Sequence, residues 1–169
     1  MTSPPSGRVV VTADGSDLVV SRTFRASIED VWASVTEPER TARWFGTWKG
    51  EAAPGRMIKV QMGFEEQAPW LDKRIDVCEP PRHLALSDES GGMRIELLLS
   101  HRDGDTELRL VHHLDPADDV GAYGPGWEYY LDVLVAARDD LPAPSFDDYY
   151  PAMQGHYETL AAQADRAGA

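Results

Sequence analysis

The chain has 169 residues, of which 42% are hydrophobic and 27% charged, and 29 acids against 16 bases give a net charge of −13. That length suits one domain with a real core, and the acidity argues against nucleic acid or an anionic membrane surface as a partner, since both call for a concentrated basic face. A single cysteine, Cys78, excludes an intrachain disulfide and a paired-thiol redox or zinc centre.

Residues 1–7 are rich in Pro, Ser and Gly and are expected to form a flexible N-terminus. They lack an apolar stretch of signal-peptide length, and no window approaches the ~18 apolar residues of a membrane helix, so the cytoplasm is the expected address. Arg8–Thr12 is β-branched, Ala13–Ser16 reads as a turn, and Leu18–Phe24 alternates, which predicts a hairpin. Ser27 is a suitable N-cap for a short helix over Ile28–Thr36, with Asp30 placed for a capping-box-like contact and Ile28, Val31, Trp32 and Val35 on the inner face. Pro38 opens a second short helix, Glu39–Trp44. The stretch that follows, through Trp48, reads as a loop dense in aromatics, either a core plug or a pocket rim.

Strands are then expected at Met57–Met62, Leu71–Glu79, His83–Ser87, Met93–His101 and Thr106–His113, all but His83–Ser87 on period-two alternation. Between the first two, Gly63–Trp70 reads as a loop in which Glu65 and Glu66 are solvated charge. Asp103-Gly104-Asp105 marks a hairpin turn. On the last strand Leu108, Leu110 and His112 share one face, and His113 points to the other. Asp115–Pro125 reads as a linker with Asp118 and Asp119 solvated.

Gly124–Leu141 is the longest amphipathic helix expected, with Pro125 in its first turn and a stripe of Trp127, Tyr130, Leu131, Leu134 and Arg138. Glu128 and Asp132 are assigned to its solvated side. Beyond Pro142 and Pro144, the residues Met153, His156, Tyr157, Leu160 and Ala164 recur at helical spacing. A meander of about six short-turn strands must be antiparallel, and the long helix is the only element large enough to cover its apolar face. The pattern therefore defines an α+β domain with a bent sheet around one helix.

In register with this order, Val20–Phe24, Ile28–Glu39, Arg43–Phe45 and Gly126–Asp132 resemble the SRPBCC superfamily, also called START-like or Bet v 1-like. Within it they are most similar to homologues of the activator of the heat-shock-protein-90 ATPase, C-terminal-domain type. The resemblance spans roughly residues 17–141. It departs from the family at Pro54-Gly55, where a glycine-rich pair is usual. It implies a helix-grip fold: a curved antiparallel sheet of about six or seven strands wrapped around a long C-terminal helix, with two short helices after the first strand and an extra C-terminal helix. The expected organisation is a flexible 1–7, a domain over 8–141 and a helical extension over 142–169.

The resemblance also implies a cavity that in many members holds an apolar or aromatic small molecule. Residues able to line it here are Trp32, Trp44, Phe45, Met62, Trp70, Leu97, Leu110, His112, Trp127, Tyr130, Leu131 and Leu134. The same side chains could equally fill a core at normal packing density. His112 and His113 cannot share a metal ion, because strand neighbours face opposite ways, so no metal and no cofactor is expected. Nucleophile elbows and phosphate-cradling glycine loops are absent from the sequence, and no catalytic residue is assigned. Three functions remain open. One is binding of a small hydrophobic or aromatic ligand. Another is a chaperone-linked interaction with a protein partner, as the family name suggests. The last is a cyclase or hydratase acting on a polyketide-like substrate, which needs at least two polar groups to converge, with His112, Arg22, Lys73 and Tyr130 as candidates. A monomer and a homodimer both fit the sequence.

Overall fold

The computed structural model describes residues 3–63 and 67–167. Its strands are β1 (Arg8–Thr12), β2 (Gly15–Phe24), β3 (Gly46–Gly50), β4 (Met57–Met62), β5 (Trp70–Glu79), β6 (His83–Asp88), β7 (Arg94–Arg102) and β8 (Asp105–Leu114). Its helices are α1 (Ile28–Thr36), α2 (Pro38–Thr41), α3 (Val120–Arg138) and α4 (Gln154–Ala167), with a 3-10 turn at Phe146–Asp148. The strands form one open, curved antiparallel sheet in the order β1-β2-β8-β7-β6-β5-β4-β3. With the long helix α3 this is a helix-grip, α+β arrangement. The chain divides into two compact units, one made of the residues up to Ser21 together with Val111 onward, the other of Arg22–Leu110.

Among the described residues eight strands are present where about six or seven were expected. The additional one is β3, whose flanking glycines and aromatic density made it read as loop. It pairs with β4 from Gly46↔Met62 to Gly50↔Ile58. Gly46 is required there, because a Cβ would stand 2.2 Å from the carbonyl oxygen of Gln61. Glu65 and Glu66 lie outside the described residues.

In the Arg22–Leu110 unit, α1 begins as expected: the Asp30 N–H donates to the Ser27 hydroxyl at 3.2 Å. The Asp30 carboxylate receives Arg40 at 3.2 Å. The second helix is only Pro38–Thr41, shorter than the expected Glu39–Trp44. Alternation on β5 places Ile75 in the core but leaves Leu71 40% exposed, and the register with β6 shifts between Ile75 and Val77. The turn after β7 uses Asp103 and Gly104, both at positive φ (52° and 84°), as a tight two-residue hairpin requires.

In the other unit, β1 and β2 form the expected hairpin, with Thr12↔Gly15 closing a two-residue loop. The long helix differs from expectation at both ends. It starts at Val120, one turn before Gly124, so Pro125 lies inside it and interrupts the i→i−4 ladder. Gly121 and Gly124 resemble linker residues but are there for close packing. A Cβ on Gly124 would lie 2.3 Å from the Tyr157 ring, and one on Gly121 would lie 2.9 Å from Glu158 Cγ. The helix stops at Arg138 because Asp140 takes a left-handed φ of 52°. Leu141 N–H then donates to Ala136 O (2.8 Å) and Asp140 N–H to Ala137 O (3.4 Å), the two bonds of a Schellman cap.

Candidate functional site: the aromatic and buried polar side chains of the long helix

Two stripes of α3 carry the chemistry of its unit. The first is the one expected from sequence. Trp127, Leu131 and Leu134 are buried, and Tyr130 is half-buried with its ring 6.1 Å from Trp127. His112, on β8, is fully buried beside them. The Trp127 indole N–H donates to His112 Nδ1 at 3.2 Å. An acceptor at Nδ1 assigns the proton of a neutral ring to Nε2, which lies 3.6 Å from Asp118 Oδ2. That carboxylate oxygen also accepts the Asp115 N–H at 2.8 Å. The Tyr123 ring packs edge-on to the imidazole at 4.9 Å. His112 thus holds the indole in one orientation. Asp118, expected to be solvated, is instead drawn to the histidine. His113 faces the other way and meets Asp17 at 2.7 Å.

The second stripe was missed. Gly121, Gly124, Glu128 and Asp132 recur at i, i+3, i+7 and i+11 and form the seat of α4 and the segment before it. Glu128, assigned to solvent from sequence, is 1% exposed. Its Oε1 accepts the Ser6 N–H (2.9 Å), the Ser6 hydroxyl (2.9 Å), the Gly7 N–H (2.8 Å) and the Tyr157 hydroxyl (2.8 Å). A buried carboxylate is costly unless hydrogen-bonded, and these donors offset that cost. Asp132 likewise accepts the buried Tyr149 hydroxyl at 2.6 Å. Ser6 and Gly7, at the end of the segment expected to fray, are therefore tied to α3 and α4. The small-and-polar repeat at helical spacing was the signal available for this second stripe, and the two buried tyrosines are its partners.

Seven of the twelve candidate ligand residues belong to the Arg22–Leu110 unit. Leu97, Leu110 and Trp44 are buried there, while Trp32, Phe45 and Met62 are half-buried and Trp70 is 38% exposed. The aromatic stretch after α2 behaves as a plug. Trp44 N–H donates to Ser34 O (2.9 Å) and Trp48 N–H to Thr36 O (2.7 Å), so both indoles satisfy carbonyls in the last turn of α1. Trp70 stacks under Lys49, whose ammonium is 4.1 Å from the ring centroid. It also edges an open surface depression of about 580 Å³ with Leu71, Asp72, Asp88, Glu89 and Ser90. Lys73, named for the enzymatic alternative, is paired with Asp88. Arg22 and Lys73 belong to this unit, and His112 and Tyr130 to the other. Among the described residues no three His, Cys, Asp or Glu side chains are grouped to hold a metal ion. No described helix is long and apolar enough to cross a membrane.

The sheet, the two short helices after β2 and the long helix place the chain in the helix-grip class. It belongs to the family described as Activator of Hsp90 ATPase homolog 1-like protein, which matches residues 25–138. Among solved structures it is similar to CalU16 from Micromonospora echinospora, at 25% identity and a TM-score of 0.71, over 92% of this chain and 95% of that one. It is also similar to the protein encoded by gene BPP1335 of Bordetella parapertussis, at 25% identity and a TM-score of 0.69, over 94% of each chain. DynU16, described as a putative protein in the dynemicin biosynthetic locus, shares the fold at 21% identity and a TM-score of 0.64, over 77% of this chain and 50% of its own. No curated protein matches.

Proposed function

We propose that the protein binds a small hydrophobic or aromatic molecule, with Trp127 and Tyr130 of α3 as an aromatic recognition wall. The observation that carries this reading is the fixed indole. Trp127 is held by its hydrogen bond to a fully buried His112, so its orientation is fixed in advance and a ligand packing against it orders little. Small-molecule sites are mostly apolar with few placed polar groups, and this stripe has that character: two leucines and two aromatic rings, one of them a phenol. Membership of a family whose fold suits ligand binding supports it further. His112 acts as a positioning residue in this reading, since its Nδ1 is committed to the indole.

A thermal-shift screen with polycyclic aromatic and fatty-acyl compounds tests the proposal. A ligand at 100 times its Kd should stabilise the fold by about 2.7 kcal/mol. Trp127→Ala should abolish the shift, and His112→Ala should weaken it by freeing the indole. A panel in which no compound raises the melting midpoint of the unmodified protein would sink the binding reading.

A further inference from the structure

The two edges of the open sheet are finished differently. At one edge, β3 is five residues long, begins and ends with glycine, and carries an exposed lysine, Lys49. Short length, lysine and backbone irregularity are the usual means of blunting an edge; here Gly50 sits at a φ of 128°. At the other edge, β1 is equally short but has no lysine and no backbone irregularity. Its sequence is Arg-Val-Val-Val-Thr, without proline, bulge or internal charge. Val10 is 38% and Val11 41% exposed, although side chains at successive positions leave opposite faces of the strand. Helix α4 packs against β1 yet leaves four of its five residues exposed. Among the described residues the only backbone partner of β1 is β2, on its inner side.

We propose that β1 is a self-association edge, which pairs antiparallel with β1 of a second copy to continue the sheet across a two-fold axis. The charges select this occupant. Arg8 and Asp14 bracket the strand, and neither side chain forms an ion pair or hydrogen bond among the described residues. An antiparallel pairing centred on Val11 brings Arg8 of one copy opposite Asp14 of the other, and the reverse, so the symmetric contact makes two opposite-charge pairs. Meanwhile Val11 meets Val11 and Val10 meets Thr12, β-branched cross-strand pairs that suit a sheet. The same surface serves both copies, so the contact closes as a dimer and does not propagate. A five-residue ladder is short, so the association is weak, with a Kd on the order of 100 µM at physiological salt.

Sedimentation velocity of the full chain from about 10 µM to 1 mM provides the test, with circular dichroism as a control for folding. A reversible monomer–dimer equilibrium is expected. Arg8→Asp places like charges opposite each other twice and should weaken it by about tenfold or more. The exchange of both, Arg8→Asp with Asp14→Arg, should restore it, an outcome that a fold defect cannot imitate. Val11→Lys, at the two-fold axis, should leave a folded monomer. A monomer throughout the range, failure of the double exchange to restore association, or open-ended polymers in place of a dimer would each overturn the proposal.

Discussion

The two compact units keep their charges in different places. In Arg22–Leu110 the ion pairs lie at the surface: Lys59–Asp72, Arg74–Asp76 and Arg40–Glu37 are all substantially exposed, and the interior is made of alternating aliphatic side chains. In the unit of β1, α3 and α4, the polar groups go inward. Glu128 and His112 are fully buried, and the buried Tyr149 and Tyr157 turn their hydroxyls toward carboxylates on α3. Exposed pairs gain little and tolerate loss, whereas a buried acceptor serving several donors makes each of them depend on it. The Arg22–Leu110 unit is thus built from many small, replaceable contributions, and the unit of β1, α3 and α4 from a few that are not.

Substitutions that attack the buried carboxylate should separate the units most. Glu128→Ala leaves the Ser6 and Gly7 amides and the Tyr157 hydroxyl without their acceptor, and should cost about 4 kcal/mol, read as the urea midpoint. Hydrogen exchange in the same variant should rise first in Arg8–Thr12 and Gln154–Ala167. Uniform acceleration across β4–β6 at the same rate would show that the contrast between the units is wrong. Gly124→Ala comes next, because its Cβ would stand 2.3 Å from the Tyr157 ring and α4 must move to admit it. Its cost should be about 3 kcal/mol, and pairing it with Tyr157→Leu should recover part of that. Trp127→Phe removes the donor to His112 Nδ1 and should cost about 1 kcal/mol, with the loss of one slowly exchanging indole proton in the NMR spectrum. Least of all, Lys59→Ala on the outer face of β4 should shift stability by under about 0.5 kcal/mol. A loss there as large as that from Trp127→Phe would erase the distinction.

Period-two alternation made the strands β4, β5, β7 and β8 legible within a residue or two, because one side of each faces the core and the sequence must say which. Ser27 marked the start of α1 for the same local reason. Elements whose signals are not local were harder to read. The strand β3 and the first turn of α3 were hidden by glycines that exist for close approach, at Gly46 to the Gln61 carbonyl and at Gly124 to Tyr157. Glycine in a sequence reads as a break, and only the neighbour shows that it is a contact. Glu128 and Asp118 were placed in solvent because a carboxylate belongs there unless donors are brought to it. Those donors come from residues as far as 122 positions away in the chain. The Trp127 stripe, by contrast, was visible because apolar periodicity on a helix carries its own evidence of a buried face.

One aromatic ring has a consequence of a different kind. Tyr157 is clasped at its ring by Gly124 and at its hydroxyl by Gly7, with no free volume for a methyl group at either place. The hydroxyl oxygen lies on the axis about which the ring rotates, so a half-turn of the ring leaves the bond to Glu128 in place and is resisted by packing alone. Its two edges should therefore give separate δ and ε proton signals, merging only as temperature opens the helix pair. The merging rate measures how often α3 and α4 part, independently of whether the hydrogen bonds between them have broken.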